Sequence, residues 1–411
     1  MTEPRTRTPV ASPPGGDVVL DRPAAEPTRV VDALLGAFAL VAVTPSWFPN
    51  GLSVGLLVLA VTVAVGATRR PVRHLTGAPY RLGWFVPLML TVFAFAVAVS
   101  IATPDDSING WPRRALRLVL VMAFLLVVVS GRIHYPSFVR GLAAGLAANA
   151  ALFEAGLAPT PYGDYLSGFL LDKNVAGLAY TVTGLLLVGL TQRTSSQLVI
   201  LTATSWLVWT TGSRTSIAAL ACGIAWLLLR PHLGRFGRLA LAAVLAAAIQ
   251  VIETRYARVG VFANRDGTDA LRQRIDAASS GKVEDTPWPG QGLGSAYVFL
   301  DGRTFLFHNS YWSAFVEGGW VLAVAYVAVT LLVGVGLLRP GRATRTWAAA
   351  EAANVAVLVC ALRLGEVFGT TTGMLALGAG LLGAMAARRA AEPPPPDTPT
   401  ESPAALGTLT R

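Results

Sequence analysis

Two basic side chains of different types stand at the ends of apolar segments, and they could carry proton transfer and anion binding. His308 lies in the run Phe307-His308-Asn309, directly before an apolar segment, and Arg214 lies in the polar turn Gly212-Ser213-Arg214-Thr215 between two others. A neutral imidazole can accept a proton from a hydroxyl, whereas a guanidinium presents a fixed fork of donors that suits phosphate oxygens. The two residues therefore suggest chemistry on a phosphate-bearing lipid substrate.

Each of these side chains also has a plainer interpretation. Arg214 could anchor a helix end at a membrane surface by extending its guanidinium into water. His308 could be a hydrogen-bonded residue at a helix boundary. The hydroxyl groups that surround Arg214 favour a binding role, because an anchor does not need them.

The composition predicts the elements that must hold these residues. The chain has 411 residues, of which 53% are hydrophobic and 14% are charged, and its mean hydropathy is +0.55. A soluble protein carries about 25% charged residues, and runs of about 20 apolar residues can cross a membrane as helices. We therefore predict an all-α integral membrane protein. The net charge of +10 does not indicate nucleic-acid binding, because the arginines are spread over many loops and form no basic stripe.

Twelve apolar segments predict about 12 transmembrane helices between two unstructured tails, residues 1–29 and 389–411. The membrane domain covers residues 30–388, and a large extracytoplasmic loop, residues 253–307, separates the ninth and tenth helices. The predicted segments are 30–46, 52–67, 83–102, 115–130, 138–157, 174–190, 197–211, 215–229, 238–252, 309–337, 346–364 and 370–387.

The distribution of lysine and arginine predicts the orientation of the helices. With the N-terminus inside, the cytoplasmic segments hold 20 of the 33 basic residues, and 7 of the other 13 lie in the 253–307 loop. Long loops follow the positive-inside rule less strictly, so the 253–307 loop is left out of the comparison. The cytoplasmic segments then hold 20 basic residues and the outer segments hold 6, which decides the orientation. Both termini are predicted to be cytoplasmic, which places His308 and Arg214 on the outer face.

Other charged residues could contribute to a site on that face. Arg272 and Arg274 lie in a short helical pattern of the large loop, where they could bind an anion or occupy a solvated helix face. Glu317 is an ionisable group inside an apolar segment, which by default is functional or paired. It follows His308 by two and a half helical turns, so it faces away from His308 unless Gly318-Gly319 break the helix.

Four local patterns occur in order between roughly residues 160 and 330. They are Gly168-Phe169-Leu170-Leu171-Asp172-Lys173-Asn174, Gly212-Ser213-Arg214-Thr215, the Pro289–Gly294 run, and His308-Asn309 followed by Glu317-Gly318-Gly319. Their joint order resembles the O-antigen ligase and O-antigen polymerase family of bacterial membrane glycosyltransferases. Ligases of that family often have Leu where this chain has Ala218, so the resemblance does not separate a ligase from a polymerase.

The resemblance implies metal-independent transfer of a glycan from a polyprenyl diphosphate to a hydroxyl of a glycan or glycolipid acceptor, at the outer face of the bacterial cytoplasmic membrane. His308 would accept the acceptor's proton, and Arg214 would stabilise the departing diphosphate. The implied substrate-binding residues are Arg272, Arg274, Lys173, Asn174, Asn309 and Glu317. No cofactor and no nucleic acid is implied, and the surrounding partners are membrane lipids.

Two other functions are compatible with the same residues. A membrane transporter of a small anion could use the outer-face arginines, and it would be expected to contain paired broken helices near the membrane midplane. A non-catalytic assembly protein is the third interpretation. The grouping of the polar residues on one face favours chemistry at a membrane surface.

Overall fold

The computed structural model of the chain describes residues 28–46, 52–73, 83–104, 107, 110–255, 266–339 and 344–391. Most of the two predicted tails lies outside these ranges. Within them the protein is mostly helical, with one two-stranded hairpin, β1 Tyr297–Leu300 and antiparallel β2 Arg303–Leu306. The helices are α1 Val30–Phe38, α2 Val54–Thr68, α3 Phe85–Ala102, α4 Trp111–Val129, α5 Tyr135–Glu154, α6 Lys173–Gly189, α7 Thr194–Thr210, α8 Arg214–Leu229, α9 Arg235–Arg255, α10 Asp266–Glu284, α11 Ser310–Val329, α12 Arg345–Ala361 and α13 Thr371–Ala391.

The prediction of a mostly helical protein is confirmed, and each predicted apolar segment overlaps one of these helices. Among the described residues, three helical stretches are long and apolar enough to cross a membrane: Phe85–Ala102, Arg214–His232 and Ser310–Gly334. Shorter apolar helices occupy Val54–Thr68, Thr346–Ala361 and Thr371–Ala387. The additional helix, α10, includes the short helical pattern predicted around Arg272 and Arg274, and it lies in the 253–307 segment together with a hairpin that the sequence did not predict.

The first predicted segment, 30–46, is not one continuous helix. Helix α1 has nine residues, so it is about 14 Å long, whereas the hydrocarbon core of a membrane is about 30 Å thick. The chain after α1 is not helical and hydrogen-bonds to its neighbours: the Gly55 amide donates to the Val41 carbonyl at 2.6 Å, and the Ala42 amide donates to the Phe169 carbonyl at 2.8 Å. The prediction of a spanning helix over 30–46 is therefore wrong, because apolarity alone does not determine how far a helix continues.

Small residues allow α1 to pack backbone to backbone against α5. A Cβ at Gly141 would lie 1.8 Å from the Ala33 carbonyl oxygen, and a Cβ at Gly145 would lie 2.1 Å from that of Ala37. Two glycines four residues apart on one helix face two alanines four apart on the other. This is the small-residue spacing through which membrane helices approach closely.

Helices α6 and α12 form the centre of the bundle. Nearly all of their side chains are buried, and they pack against each other, with α8 and α13 also contacting α12. By contrast, α7 buries only Thr204 and Val208 and exposes Trp206 and Trp209. The apolar outer surface of α7 suits a lipid environment, whereas α6 and α12 set the positions of the residues at the ends of the bundle.

Helix α11 is broken at two glycines. Gly318 has φ −143° and ψ 24°, and Gly319 has φ 61° and ψ −160°, neither of which is helical. The preceding loop docks into this break: the Gln291 amide donates to the Val316 carbonyl at 2.7 Å, and the Trp320 amide donates to the Trp288 carbonyl at 3.2 Å. The break thus supplies free backbone groups that the loop satisfies, which fixes the loop on the helix.

Candidate functional site

The first residues of α6, α8 and α11 meet at one end of the bundle, beside the end of α12. The Ser310 hydroxyl, in the first turn of α11, donates to the Leu364 carbonyl at 2.5 Å. Ser216, in the first turn of α8, hydrogen-bonds to Cys360. Gly177 of α6 lies against Ser216, since a Cβ there would be 2.4 Å from the Ser216 hydroxyl oxygen. We refer to this region as the His308 end, because His308 directly precedes α11.

His308 is partly exposed and has a carboxylate beside its inner nitrogen. Its side chain is 31% exposed, and its Nδ1 atom lies 3.7 Å from Oδ1 of Asp276 on α10. Among the described residues, no group hydrogen-bonds to this buried Nδ1 atom. The other oxygen of Asp276, Oδ2, accepts a hydrogen bond from Nη1 of Arg363 at 3.2 Å. His308, Asp276 and Arg363 therefore form a connected group drawn from three parts of the chain.

Packing holds that group in place. Ile275, next to Asp276, and Phe307, next to His308, are both buried in one small apolar cluster with Val316. A Cβ at Gly365 would lie 1.8 Å from the Phe307 carbonyl oxygen, so the turn after α12 approaches the His308 backbone closely. These contacts bring α10, the start of α11 and the end of α12 together at the imidazole.

Arg214 is the first residue of α8, at the same end of the bundle. The preceding residue, Ser213, caps the helix: its hydroxyl oxygen accepts the Ser216 amide at 3.4 Å and lies 2.9 Å from the Ser216 hydroxyl oxygen. Gly212 has φ 61°, and the Tyr165 ring lies against it, 2.3 Å from where a Cβ would be. The tight turn thus seats the start of α8 against the loop before α6, with the Arg214 side chain partly exposed.

A second polar group surrounds the start of α6. The Tyr162 hydroxyl donates to Oδ2 of Asp172 at 3.0 Å, while Oδ1 of Asp172 caps α6 by accepting the Asn174 amide at 2.7 Å. The Lys173 ammonium lies 5.5 Å from the centre of the Tyr162 ring and 4.3 Å from the centre of the Tyr165 ring. We call Tyr162, Tyr165, Asp172 and Lys173 the Lys173 corner.

Arg272 of α10 interacts with this corner. Burial and the charge and hydrogen bond of Asp172 raise the pKa of Tyr162, the charge of Arg272 opposes them, and the net pKa is about 12. Arg272 is therefore close enough to Tyr162 for an electrostatic interaction. The next turn of the same helix carries Asp276, the partner of His308. Helix α10 thus connects the Lys173 corner with His308.

Two other predicted binding residues, Arg274 and Asn309, have specific structural partners. Arg274 forms an ion pair with Asp301 of the hairpin at 2.8 Å, and both side chains are more than half exposed. The Asn309 side chain caps α11, since its Oδ1 atom accepts the Tyr311 amide at 2.9 Å. Asn174 lies partly exposed in the first turn of α6. The structure thus places Arg274 on the hairpin side of α10 and uses Asn309 to begin the helix that follows His308.

Glu317 lies at the break in α11 and is held by Arg114. Nη2 of Arg114 lies 3.0 Å from Oε2 of Glu317, and the Gly294 amide donates to Oε1 at 3.1 Å. Arg114 also bonds to Glu366, which lies 3.2 Å from Arg117 as well. The helix break predicted as a possibility from Gly318-Gly319 is present, and it leaves Glu317 joining the loop to α4.

Buried charges also occupy the opposite end of the bundle. Nε of Arg230, which follows α8, lies 2.6 Å from Oε2 of Glu351 in α12, and both side chains are 1% exposed. Nη1 of Arg339 lies 3.7 Å from Oε1 of the same carboxylate. We call this region the Glu351 end. The two ends therefore hold separate groups of charged residues. The group at the His308 end pairs with α10 and the hairpin segment, and the group at the Glu351 end pairs with the turns after α8 and α11.

Sequence reasoning missed Asp276 as the partner of His308 and Tyr162 as a member of the Lys173 corner. Asp276 stands 32 positions before His308, and no local pattern joins the two. Tyr162 carried a weak signal, because it lies ten residues before Asp172 in a loop that already held one of the resembling patterns. Within the described ranges, no three His, Cys, Asp or Glu side chains group in a way that could hold a metal ion.

The structure thus defines a helical protein with several helices of membrane-spanning length and a polar site at one end. No protein-family model matches the chain, and no curated protein matches its sequence. The site is therefore interpreted from its own geometry and chemistry.

Proposed function

We propose that this protein is a membrane glycosyltransferase that moves a glycan from a polyprenyl diphosphate to the hydroxyl of a glycan or glycolipid acceptor. The His308 end is its reaction site and faces the outside of a bacterial cytoplasmic membrane. The proposal joins the resemblance to O-antigen ligases and polymerases with the side chains found at this end, which include an imidazole for proton transfer and several cations for a diphosphate.

The observation that carries the proposal is the placement of α10. Arg272 interacts with the Lys173 corner, and Asp276 lies beside His308, four residues further along the same helix. Side chains four apart on a helix are about 5–6 Å apart at their Cβ atoms. We infer from this arrangement of α10 that one substrate contacts both groups, with its diphosphate at the cations and its first sugar towards His308.

The cations suit the leaving group. Lys173 lies in the corner, Arg272 interacts electrostatically with its Tyr162, and Arg214 begins α8 beside it, where Gly212 packs against the Tyr165 ring. Guanidinium groups bind phosphate oxygens through paired hydrogen bonds, and a fixed cation stabilises negative charge that develops as the reaction proceeds. In this role the three side chains lower the free energy of the departing diphosphate relative to the bound donor.

The proposed reaction is a single displacement at the anomeric carbon. The acceptor oxygen forms a bond to that carbon, the bond to the diphosphate oxygen breaks, and its electron pair leaves on the diphosphate. The acceptor's hydroxyl proton passes to Nε2 of His308 and is later released to water. General-base assistance of this kind contributes about 10²–10⁴-fold to the rate.

The decisive experiment compares His308→Ala and Arg214→Lys with the unaltered protein in glycan transfer from a purified polyprenyl-diphosphate glycan in nanodiscs. We expect His308→Ala to lower kcat by about 10²–10⁴-fold. Arg214→Lys keeps the charge but loses the paired donors, so we expect most of the activity to be lost. Full transfer by a correctly inserted His308→Ala protein would refute the role of His308 as the general base.

Matched controls come from the Glu351 end. His232 and Arg193 are exposed residues away from the proposed site, so His232→Ala and Arg193→Lys should keep full transfer. Proteoliposomes test the transporter alternative, because accumulation of a small anion that depends on Arg214, without any glycan transfer, would support transport and contradict the glycosyltransferase.

A further inference from the structure

The carboxylate of Asp276 lies beside His308 and takes no part in the bond changes of the proposed reaction. Asp276 lies 3.7 Å from Nδ1 of His308 through one oxygen and 3.2 Å from Nη1 of Arg363 through the other. The His308 and Asp276 side chains are 31% and 26% exposed, so the pair is only partly open to water. A carboxylate on the inner side of an imidazole determines which ring nitrogen carries the proton.

We propose that Asp276 is a positioning residue for His308, with Arg363 holding the carboxylate in place. An ionised carboxylate is only an acceptor, so it favours the tautomer in which Nδ1 carries the proton. The Nε2 lone pair of His308 then stays available for the acceptor hydroxyl. This inference rests on the proposed function, because it assigns Asp276 a role in the proton transfer made by His308.

The surrounding contacts favour positioning over a chance approach of two charges. Ile275 and Phe307 pack in one apolar cluster, so the residues next to Asp276 and His308 are fixed against each other. Gly365 brings the turn that follows Arg363 against the Phe307 carbonyl. The 3.7 Å separation exceeds a hydrogen-bond length, and such catalytic contacts often tighten only when substrate is bound.

Because Asp276 lies on α10, its pairing with His308 depends on the position of this helix. This helix reaches His308 from the loop, so the imidazole gains its partner only while α10 is docked. The same helix presents Arg272 to the Lys173 corner. Docking of one helix therefore completes both the proton-transfer group and the diphosphate-binding group.

The test uses Asp276→Asn and Asp276→Glu in the full-length protein in nanodiscs. Because the whole general base is worth about 10²–10⁴-fold, we expect Asp276→Asn to lower kcat by roughly 10–100-fold with KM changed less than about twofold. Asp276→Glu, which keeps the charge, should recover a large part of kcat. A purely structural role would instead lower the amount of folded protein, and the Glu variant would not restore kcat selectively.

A spectroscopic readout is independent of activity. In ¹⁵N-histidine spectra, with the His308 signal assigned by its absence in His308→Ala, we expect the Nδ1-protonated tautomer in the unaltered protein and a mixture of tautomers in Asp276→Asn. Arg363→Gln should move the population in the same direction, because it releases the carboxylate. The matched control is Asp301→Asn, which removes an exposed carboxylate of the same loop region that pairs with Arg274.

The outcomes separate this inference from the proposed function. Unchanged kcat and an unchanged tautomer in both Asp276→Asn and Arg363→Gln, together with an inactive His308→Ala, would overturn the role of Asp276 and leave the transferase proposal standing. Full activity in His308→Ala would instead overturn the proposed role of His308 as the general base. If Asp276→Asn does not accumulate, Arg363→Gln and Asp276→Glu decide the question by the same two measurements.

Discussion

At the scale of single residues, Glu366 shows how neighbouring cations outweigh burial. It lies in the turn between α12 and α13. Burial raises the pKa of its carboxyl, but the charges of Arg114 and Arg117 and a hydrogen bond from Arg114 together lower the pKa by more than burial raises it. The net pKa therefore lies below the ordinary 4.5. The folded state therefore favours the ionised carboxylate. Its contribution to stability is present above pH about 4.5 and is lost as the pH falls through the depressed pKa.

Replacing this carboxylate should remove that acid dependence. We expect Glu366→Gln to lower the free energy of unfolding by about 1 kcal/mol at pH 7, between the values of exposed and buried ion pairs. The difference between the two proteins should vanish at low pH, where Glu366 itself is protonated. Thermal unfolding in detergent between pH 3 and pH 7 measures this, and a difference that stays constant over the whole range would contradict the assignment.

At the scale of elements, the sequence predicted which segments are helical and gave Gly318-Gly319 as a possible break, but it did not predict where α1 ends. Hydropathy located a helix in every predicted apolar segment, because a long apolar run needs its backbone hydrogen bonds satisfied internally. It could not show that α1 ends at Phe38, since the non-helical chain that follows is equally apolar. The contact of Asp276 with His308 was also beyond prediction, because it depends on how a loop helix docks.

The break in α11 offers a test at this scale. Gly319 has φ 61°, and a Cβ there would lie 2.0 Å from the Trp288 carbonyl oxygen. We expect Gly319→Ala to weaken docking of the loop, because the backbone conformation with φ 61° and ψ −160° is essentially restricted to glycine and costs about 1–3 kcal/mol for another residue. Limited proteolysis of the segment that holds α10 should accelerate about tenfold or more, since 1.4 kcal/mol corresponds to a factor of ten.

The control for that experiment is Gly281→Ala in α10. A Cβ at Gly281 would have no atom within 4 Å, and alanine favours a helix interior over glycine by about 1 kcal/mol. This variant should be cleaved no faster than the unaltered protein. Equal cleavage of the Gly319 and Gly281 variants would show that the break does not hold the loop.

At the scale of the whole molecule, the two charged ends differ in how they are built. The Glu351 end buries its arginines against one carboxylate and backbone carbonyls, as in the donation from Nη1 of Arg238 to the Gly336 carbonyl at 3.1 Å. The His308 end keeps its cations partly exposed beside tyrosines and an imidazole. Buried pairs at one end suit a fixed anchor, whereas partly exposed cations at the other suit a charged substrate that enters and leaves.

The excess of basic residues near the Glu351 end predicts that this end is cytoplasmic. The chain has only two cysteines, both buried, so a variant with Cys222→Ser and Cys360→Ser provides a background for labelling. Asp301→Cys on the hairpin, where the side chain is 69% exposed, should react with a membrane-impermeant maleimide on intact spheroplasts. Gly234→Cys, where a Cβ would have nothing within 4 Å, should react only after permeabilisation. The opposite labelling pattern would place the His308 end in the cytoplasm, where no flipped polyprenyl-diphosphate donor is available, and would contradict both the orientation and the proposed reaction.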